Sequence, residues 1–195
     1  MITAVTLTGL LALAPAFAQT GTTTTSKTTA KTSASTSTSS MLSSSDRKFI
    51  KDAAEGGMME VELGRIAAQK GTDPDVKSFG QRMVDDHSKA NDQLKQVASS
   101  KGVTVPSTLP PSKQKEVDSY NKLSGAAFDS KYVSHMVSDH KKDVAEFQKE
   151  SKSGKDADVK SFASTTLPTL QDHLKMIKDI SSKMHPTRTA SHSGH

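Results

Sequence analysis

The chain has 195 residues, a formal net charge of +5, 33% hydrophobic residues and no Cys. The missing Cys excludes disulfides, thiolate metal sites, Cys nucleophiles and a lipid-modified N-terminal Cys. Lys27, Lys31 and Arg188 account for three of the positive charges, so residues 46–184 carry 23 basic and 21 acidic side chains. These charges are mixed in sign and form no basic stripe with interleaved aromatics, so nucleic acid is not an expected partner.

Met1 to Ala18 is a short apolar run that ends in Ala16-Phe17-Ala18, small residues in the pattern that signal peptidase cleaves. No Lys or Arg precedes the run, a departure from the usual pattern. It is too short to serve comfortably as a membrane anchor, and residues 1–18 are read as a cleavable signal peptide. No later segment is apolar for long enough to span a bilayer, so the expected product is periplasmic or secreted, with no membrane span. Residues 19–45 are a spacer in which 19 of 27 residues are Ser or Thr and none is acidic. Such a segment buries too little to offset the entropy of ordering, and it reads as disordered. The tail, residues 185–195, reads the same way.

Between these ends, helical periodicity is punctuated clearly. A first helix is expected from about Asp46 to Lys70, stopped by Gly71. Asp73-Pro74-Asp75 supplies an N-cap, a Pro at the first helical position and an acid facing the helix dipole. The second helix then runs to about Lys101. A linker with Pro106, Pro110 and Pro111 leads into a short helix over about Ser112 to Leu123. A third long helix follows Gly125 and ends near Gly154, and a fourth runs from Asp156 to about Met184. Four long helices with short links predict an all-α, antiparallel four-helix bundle over residues 46–184, with one short extra helix between helices 2 and 3. Asp73 to Phe79 is echoed by Asp156 to Phe162, and Met83 to Lys89 resembles Met136 to Lys142. A duplicated hairpin and a shared helix-start solution both account for these echoes.

Three histidines fall on apolar stripes. His87 follows Val76, Phe79 and Met83; His140 follows Val133, Met136 and Val137; His173 lies between Leu170 and Ile177. The first helix has Glu60 in a stripe of small residues, Ala53, Gly57, Gly64 and Ala67. A buried carboxylate must be paired or bound. Glu60, His87, His140 and His173 are therefore the candidate ligands for one divalent transition metal, zinc, iron, manganese or copper. The alternative is a buried polar network of structural histidines. Met83 and Met136 stand four residues before His87 and His140, a soft pairing that suits copper and equally suits core filling. Each His follows an Asp: Asp86, Asp139 and Asp172. These point about 100° away from their own His, toward solvent or toward a His on a neighbouring helix. His135 is a weak candidate ligand, and Tyr132 is a candidate donor into the core. No nucleophile elbow and no phosphate loop is present.

Phe49-x3-Ala53-Ala54-x-Gly56-Gly57-Met58-x-Glu60-Val61-Glu62-Leu63-Gly64-x2-Ala67, Met83-Val-x-Asp-His87, Gly125-x2-Phe128-Asp129-x2-Tyr132, Asp139-His140 and Leu167-Pro-x-Leu-x2-His173 together resemble a bacterial family of exported proteins. It is a domain-of-unknown-function family of ferritin-like proteins, often labelled outer-membrane protein. The resemblance implies a ferritin-like bundle and an envelope location, and it implies no activity. An outer-membrane barrel would need many alternating strands, and this pattern has none. Di-iron bundles carry Glu-x-x-His twice. Here Val84, Val137 and Leu170 stand three before the histidines, which argues against di-iron chemistry. Two functions are expected to compete: metal handling in the envelope through the inward His and Glu, or a non-enzymatic envelope stress or interaction protein with structural histidines.

Overall fold

The structure is a computed structural model and describes residues 42–184. The expected signal peptide, most of the spacer and the tail lie outside those residues. Among them are five helices: α1 (Ser44–Lys70), α2 (Pro74–Ser100), α3 (Pro111–Asn121), α4 (Gly125–Ser153) and α5 (Ala157–Met184). The four long helices and the short α3 agree with the periodicity to within about two residues. Helix α1 starts two residues before the expected Asp46, with Ser43 as the N-cap, its hydroxyl accepting from the Asp46 N–H at 3.1 Å. None of the described helices is long and apolar enough to cross a membrane.

Helices α1 and α2 form one antiparallel hairpin, and α4 and α5 form a second. Lys183 at the end of α5 reaches Asp75 at the start of α2 at 2.7 Å, and Lys101 after α2 reaches Asp158 at the start of α5 at 2.6 Å. These contacts set α2 and α5 antiparallel. The chain must therefore travel from the end of α2 back along the bundle before α4 begins, a distance of about 40 Å for a 27-residue helix. That crossover carries α3, whose buried Val117 and Tyr120 close one flank of the core. An antiparallel bundle with one long crossover is the ferritin-like arrangement.

A spacing of 83 residues relates the two hairpins. Asp129, one turn into α4, accepts the backbone N–H groups of Thr72 and Asp73 in the α1–α2 link, the shortest at 2.9 Å. Asp46 in the first turn of α1 accepts those of Lys155 and Asp156 in the α4–α5 link, the shortest at 2.8 Å. Asp73 and Asp156, at the same spacing, each cap their own following helix. The hairpin echo at Asp73 and Asp156 is thus part of a pseudo-twofold. The echo between Met83 and Met136 is not, because the twofold pairs Met83 with Thr166.

The hairpins are held by close helix crossing. A Cβ on Gly64 would meet the carbonyl oxygen of Gly80 at 2.7 Å, and one on Gly80 would meet that of Gly64 at 2.7 Å. Two glycines facing each other let the α1 and α2 backbones touch, where any side chain would hold them apart. The core has two apolar clusters, one around Leu63, Phe79, Tyr132 and Ile177, the other around Ile50, Leu94, Phe147 and Val159. Along each long helix a polar residue stands between the two: Glu60, His87, His140 and His173.

Candidate metal centre

Each inward histidine is placed by apolar neighbours one or two turns away on the same helix face. Met83 and Leu94 bracket His87, Met136 and Phe147 bracket His140, and Leu170 and Ile177 bracket His173; all six are buried. The rings follow them into the core, with His140 and His173 fully buried and His87 6% exposed. The ring centroids form a nearly equilateral triangle with sides of 5.3, 5.4 and 5.8 Å. One nitrogen from each ring lies within 4.8 Å of one from each of the others. Phe79 sets its ring edge-to-face against His140 and His173, at 6.0 and 6.2 Å, and so walls one side of the triangle.

One nitrogen of every ring is held by an oxygen. His140 Nδ1 lies 3.0 Å from the Met136 carbonyl, which only accepts, so Nδ1 carries the hydrogen and donates it. His173 Nε2 donates to the Asp86 carboxylate at 2.8 Å, and His87 Nδ1 sits 3.0 Å from the Glu60 carboxyl. The other three nitrogens, His87 Nε2, His140 Nε2 and His173 Nδ1, are buried and have no partner. Burial, reinforced by the neighbouring rings His140 and His173, holds the His87 pKa well below the usual imidazole value. Burial and His173 push His140 down to about 4. Burial also lowers His173, against the opposing pull of Asp86. Near neutral pH all three rings are neutral, so each unpaired nitrogen of His140 and His173 presents a lone pair rather than a hydrogen.

The flanking carboxylates divide sharply. Burial works against the Asp86 anion, but hydrogen bonds from His173 and Arg82 outweigh it and lower its pKa. Asp86 is therefore the acceptor on a neighbouring helix that the Asp-His pattern allowed. Asp139 turns instead to His135 Nε2 at 3.4 Å, and Asp172 is exposed. His135 stands away from the triangle, half-buried between Glu116, Asp139 and the Tyr120 ring. Met83 and Met136 are wholly buried within the apolar cluster, as core filling would have them. Tyr132 is buried, and its hydroxyl has no partner among the described residues.

Glu60 is 2% exposed and touches two rings from the side, 3.0 Å from His87 Nδ1 and 3.5 Å from His140 Nδ1. Burial, with Asp143 and Asp139 nearby, raises its pKa well above the carboxylate range. Burial and Asp139 likewise push Asp143 up to about 7. Sequence reasoning missed Asp143, three residues after His140 and four before Phe147 at the edge of the apolar stripe of α4. Its signal was the 83-residue spacing that makes it the counterpart of Glu60.

The family model of a domain of unknown function, DUF4142, matches residues 31–180. No curated protein matches the sequence significantly. Among solved structures, the bundle resembles a DUF305 fragment from Deinococcus radiodurans at a TM-score of 0.63 and 11% identity, over 73% of this chain and 98% of that one. CopM in its Cu(I)-bound form aligns at a TM-score of 0.60 and 14% identity, over 72% of this chain and 97% of that one. A dodecameric thioferritin, the bacterioferritin-related protein of Bacteroides fragilis, aligns at 0.58 and 18% identity, over 74% and 89%. At these identities the likeness is one of fold, and it agrees with a ferritin-like bundle.

Proposed function

We propose a function for a chain that belongs to the domain-of-unknown-function family DUF4142: it is an exported metal-handling protein that binds one transition-metal ion through His87, His140 and His173. One observation carries this reading. Three buried rings each have one nitrogen tied to an oxygen and the other unpaired, within a cluster whose ring nitrogens approach to 4.8 Å. Leaving three polar atoms unsatisfied in a core is costly, and a bound ion satisfies all three at once. Oxygen partners behind each ring are what metal-binding histidines ordinarily have, since they fix tautomer and orientation.

Metal–nitrogen bonds of about 2.0–2.1 Å place ligating nitrogens about 3.4 Å apart. The triangle must therefore contract by up to about 1.4 Å from its 4.8 Å limit. Small rotations of imidazole rings supply this. Neutral imidazoles select zinc, copper or iron over magnesium and calcium. That CopM shares the fold and has a Cu(I)-bound form supports including copper among the ions tested. In this reading Glu60 holds His87 from behind rather than serving as a fourth ligand. Export rests on residues 1–18, and an exported domain without Cys has to build such a site from His, carboxylate or Met.

The test is metal content of the purified protein and reconstitution with Zn2+, Cu+, Cu2+, Fe2+ and Mn2+, in the parent and in His87→Ala, His140→Ala and His173→Ala. One equivalent of metal in the parent, lost in each variant, is expected. Failure of every ion to bind would leave the histidines as structural core residues, braced by Phe79 and their oxygen partners.

A further inference from the structure

Beside the histidine triangle lies a cavity of about 250 Å³, lined in part by Glu60, His87, Asn91, Asp139 and Asp143. The pseudo-twofold explains why it exists. At 83 residues' spacing, His140 corresponds to Gly57, His173 to Ala90 and His87 to Leu170. Gly57, Ala90 and Leu170 all line the cavity. The cavity is thus the counterpart of the histidine triangle, with two of the three rings replaced by a hydrogen and a methyl group. At its inner wall the two halves contribute one carboxyl each, Glu60 from α1 and its counterpart Asp143 from α4.

We propose that this cavity is a second cation site, in which Glu60 and Asp143 ligate an oxygen-preferring divalent cation with help from the Asn91 side chain. Glu60 is almost wholly buried, and its Oε1 has no hydrogen-bond partner. The lining is built for positive charge: six carboxyl side chains against three lysines. Two of those lysines are already engaged, Lys48 by Asp52 and Lys142 by Glu146, each on its own helix. Lys113 is the third. Neither Glu60 nor Asp143 forms an ion pair with Lys or Arg among the described residues, although the two carboxyls lie side by side, Glu60 buried and Asp143 half-buried. Carboxylates and an amide oxygen are hard donors, so the ion they take is Mn2+ or Ca2+ in character, distinct from the ion suited to three imidazoles. Glu60 Oε1, which has no hydrogen bond and only a 3.5 Å approach to His140 Nδ1, supplies this site while Oε2 stays on His87, which joins the two sites through a single side chain.

The probe is Mn2+, read by electron paramagnetic resonance of the free ion during titration of the full chain. The parent is expected to bind one Mn2+ that added Zn2+ does not displace. His173→Gln, which removes a donor from the triangle, should leave Mn2+ affinity within about threefold. Asp143→Asn should weaken Mn2+ at least tenfold while leaving Zn2+ binding intact. Asn91→Leu, which introduces the residue its counterpart Leu174 already is, fills the cavity and should abolish Mn2+ binding with the fold retained. A parent that binds Zn2+ but no Mn2+ at millimolar concentration overturns the second site alone. Mn2+ binding that survives both Asp143→Asn and Asn91→Leu, or that disappears in His173→Gln, overturns the assignment to this cavity. A failure of Zn2+ binding alone bears on the histidine triangle and leaves these outcomes readable.

Discussion

Gly64→Ala tests the link between helix packing and the site. The added Cβ stands 2.7 Å from the Gly80 carbonyl oxygen and 2.9 Å from the Met83 Cβ, where ordinary contact begins at 3.4 Å. The nearest obstacle is backbone, so α1 and α2 must part by about 0.7 Å. Overpacking of this kind costs about 1–3 kcal/mol, and replacing a helical Gly by Ala returns about 1 kcal/mol. The net is a loss of up to about 2 kcal/mol. Gly56 provides the control in the same helix, since a Cβ there meets nothing within 4 Å. Gly56→Ala should therefore gain up to about 1 kcal/mol. One methyl group, added two turns apart, has opposite effects, and thermal midpoints should separate by several degrees. The opening also stretches the 3.0 Å contact between His87 and Glu60 toward about 3.7 Å, past hydrogen-bond range. Metal affinity should then fall about 10–100-fold, as when an orienting partner is lost. Urea unfolding followed by circular dichroism, with zinc titration of the same samples, reads both effects. If Gly64→Ala is as stable as Gly56→Ala and binds metal equally well, the close crossing does not position the site.

Three further outcomes follow from the geometry. An ion that binds the triangle should stabilise the fold by about 2.7 kcal/mol at a hundredfold excess over its Kd, which calorimetry reads as a midpoint raised by about 5–10 °C. Without metal, His140 should make the fold less stable as pH drops from the unfolded imidazole value of 6.5 through its folded value of about 4, because the unfolded chain takes up that proton first, while Asp143, raised to about 7, acts in the opposite sense over the same range. The contribution of His140 alone is on the order of 3 kcal/mol, read as the difference in urea midpoints between the parent and His140→Phe, and a difference that does not change with pH across this window would contradict its burial as a neutral ring. Asp46→Ala and Asp129→Ala should each cost about 2–3 kcal/mol, since each strands two backbone N–H groups; a loss below 0.5 kcal/mol by equilibrium unfolding would mean that the links cap themselves.

Much of this was readable from residue order. The 3.6-residue stripes placed His87, His140 and His173 inside, because a helix has one buried face and periodicity reports it directly. Gly71, Gly154 and Asp73-Pro74 marked helix ends by local backbone chemistry. Partners across helices were not readable in the same way. That His173 finds Asp86, while Asp172 stays in solvent, depends on the rotation of α5 against α2, which neither stripe encodes. Asp46 looked like a local helix start, yet burial works against its charge while the Lys155 and Asp156 N–H groups more than offset this and hold its pKa low. Glu60 was legible as inward but not as the partner of Nδ1 on His87, since a stripe gives direction and not the atom met.

The reciprocal caps of Asp46 and Asp129 also bear on number. Each hairpin locks the other's link, so a single hairpin is half of a closed unit, and two identical copies would complete one by symmetry. Such a pair could present inward ligands only in twos: two copies of His87, two of Glu60. Three imidazoles require the halves to differ. The odd count is therefore the property that a single covalent chain makes available, and Gly57 and Ala90 in the first half and Leu170 in the second are the positions that lack the ring their counterparts carry.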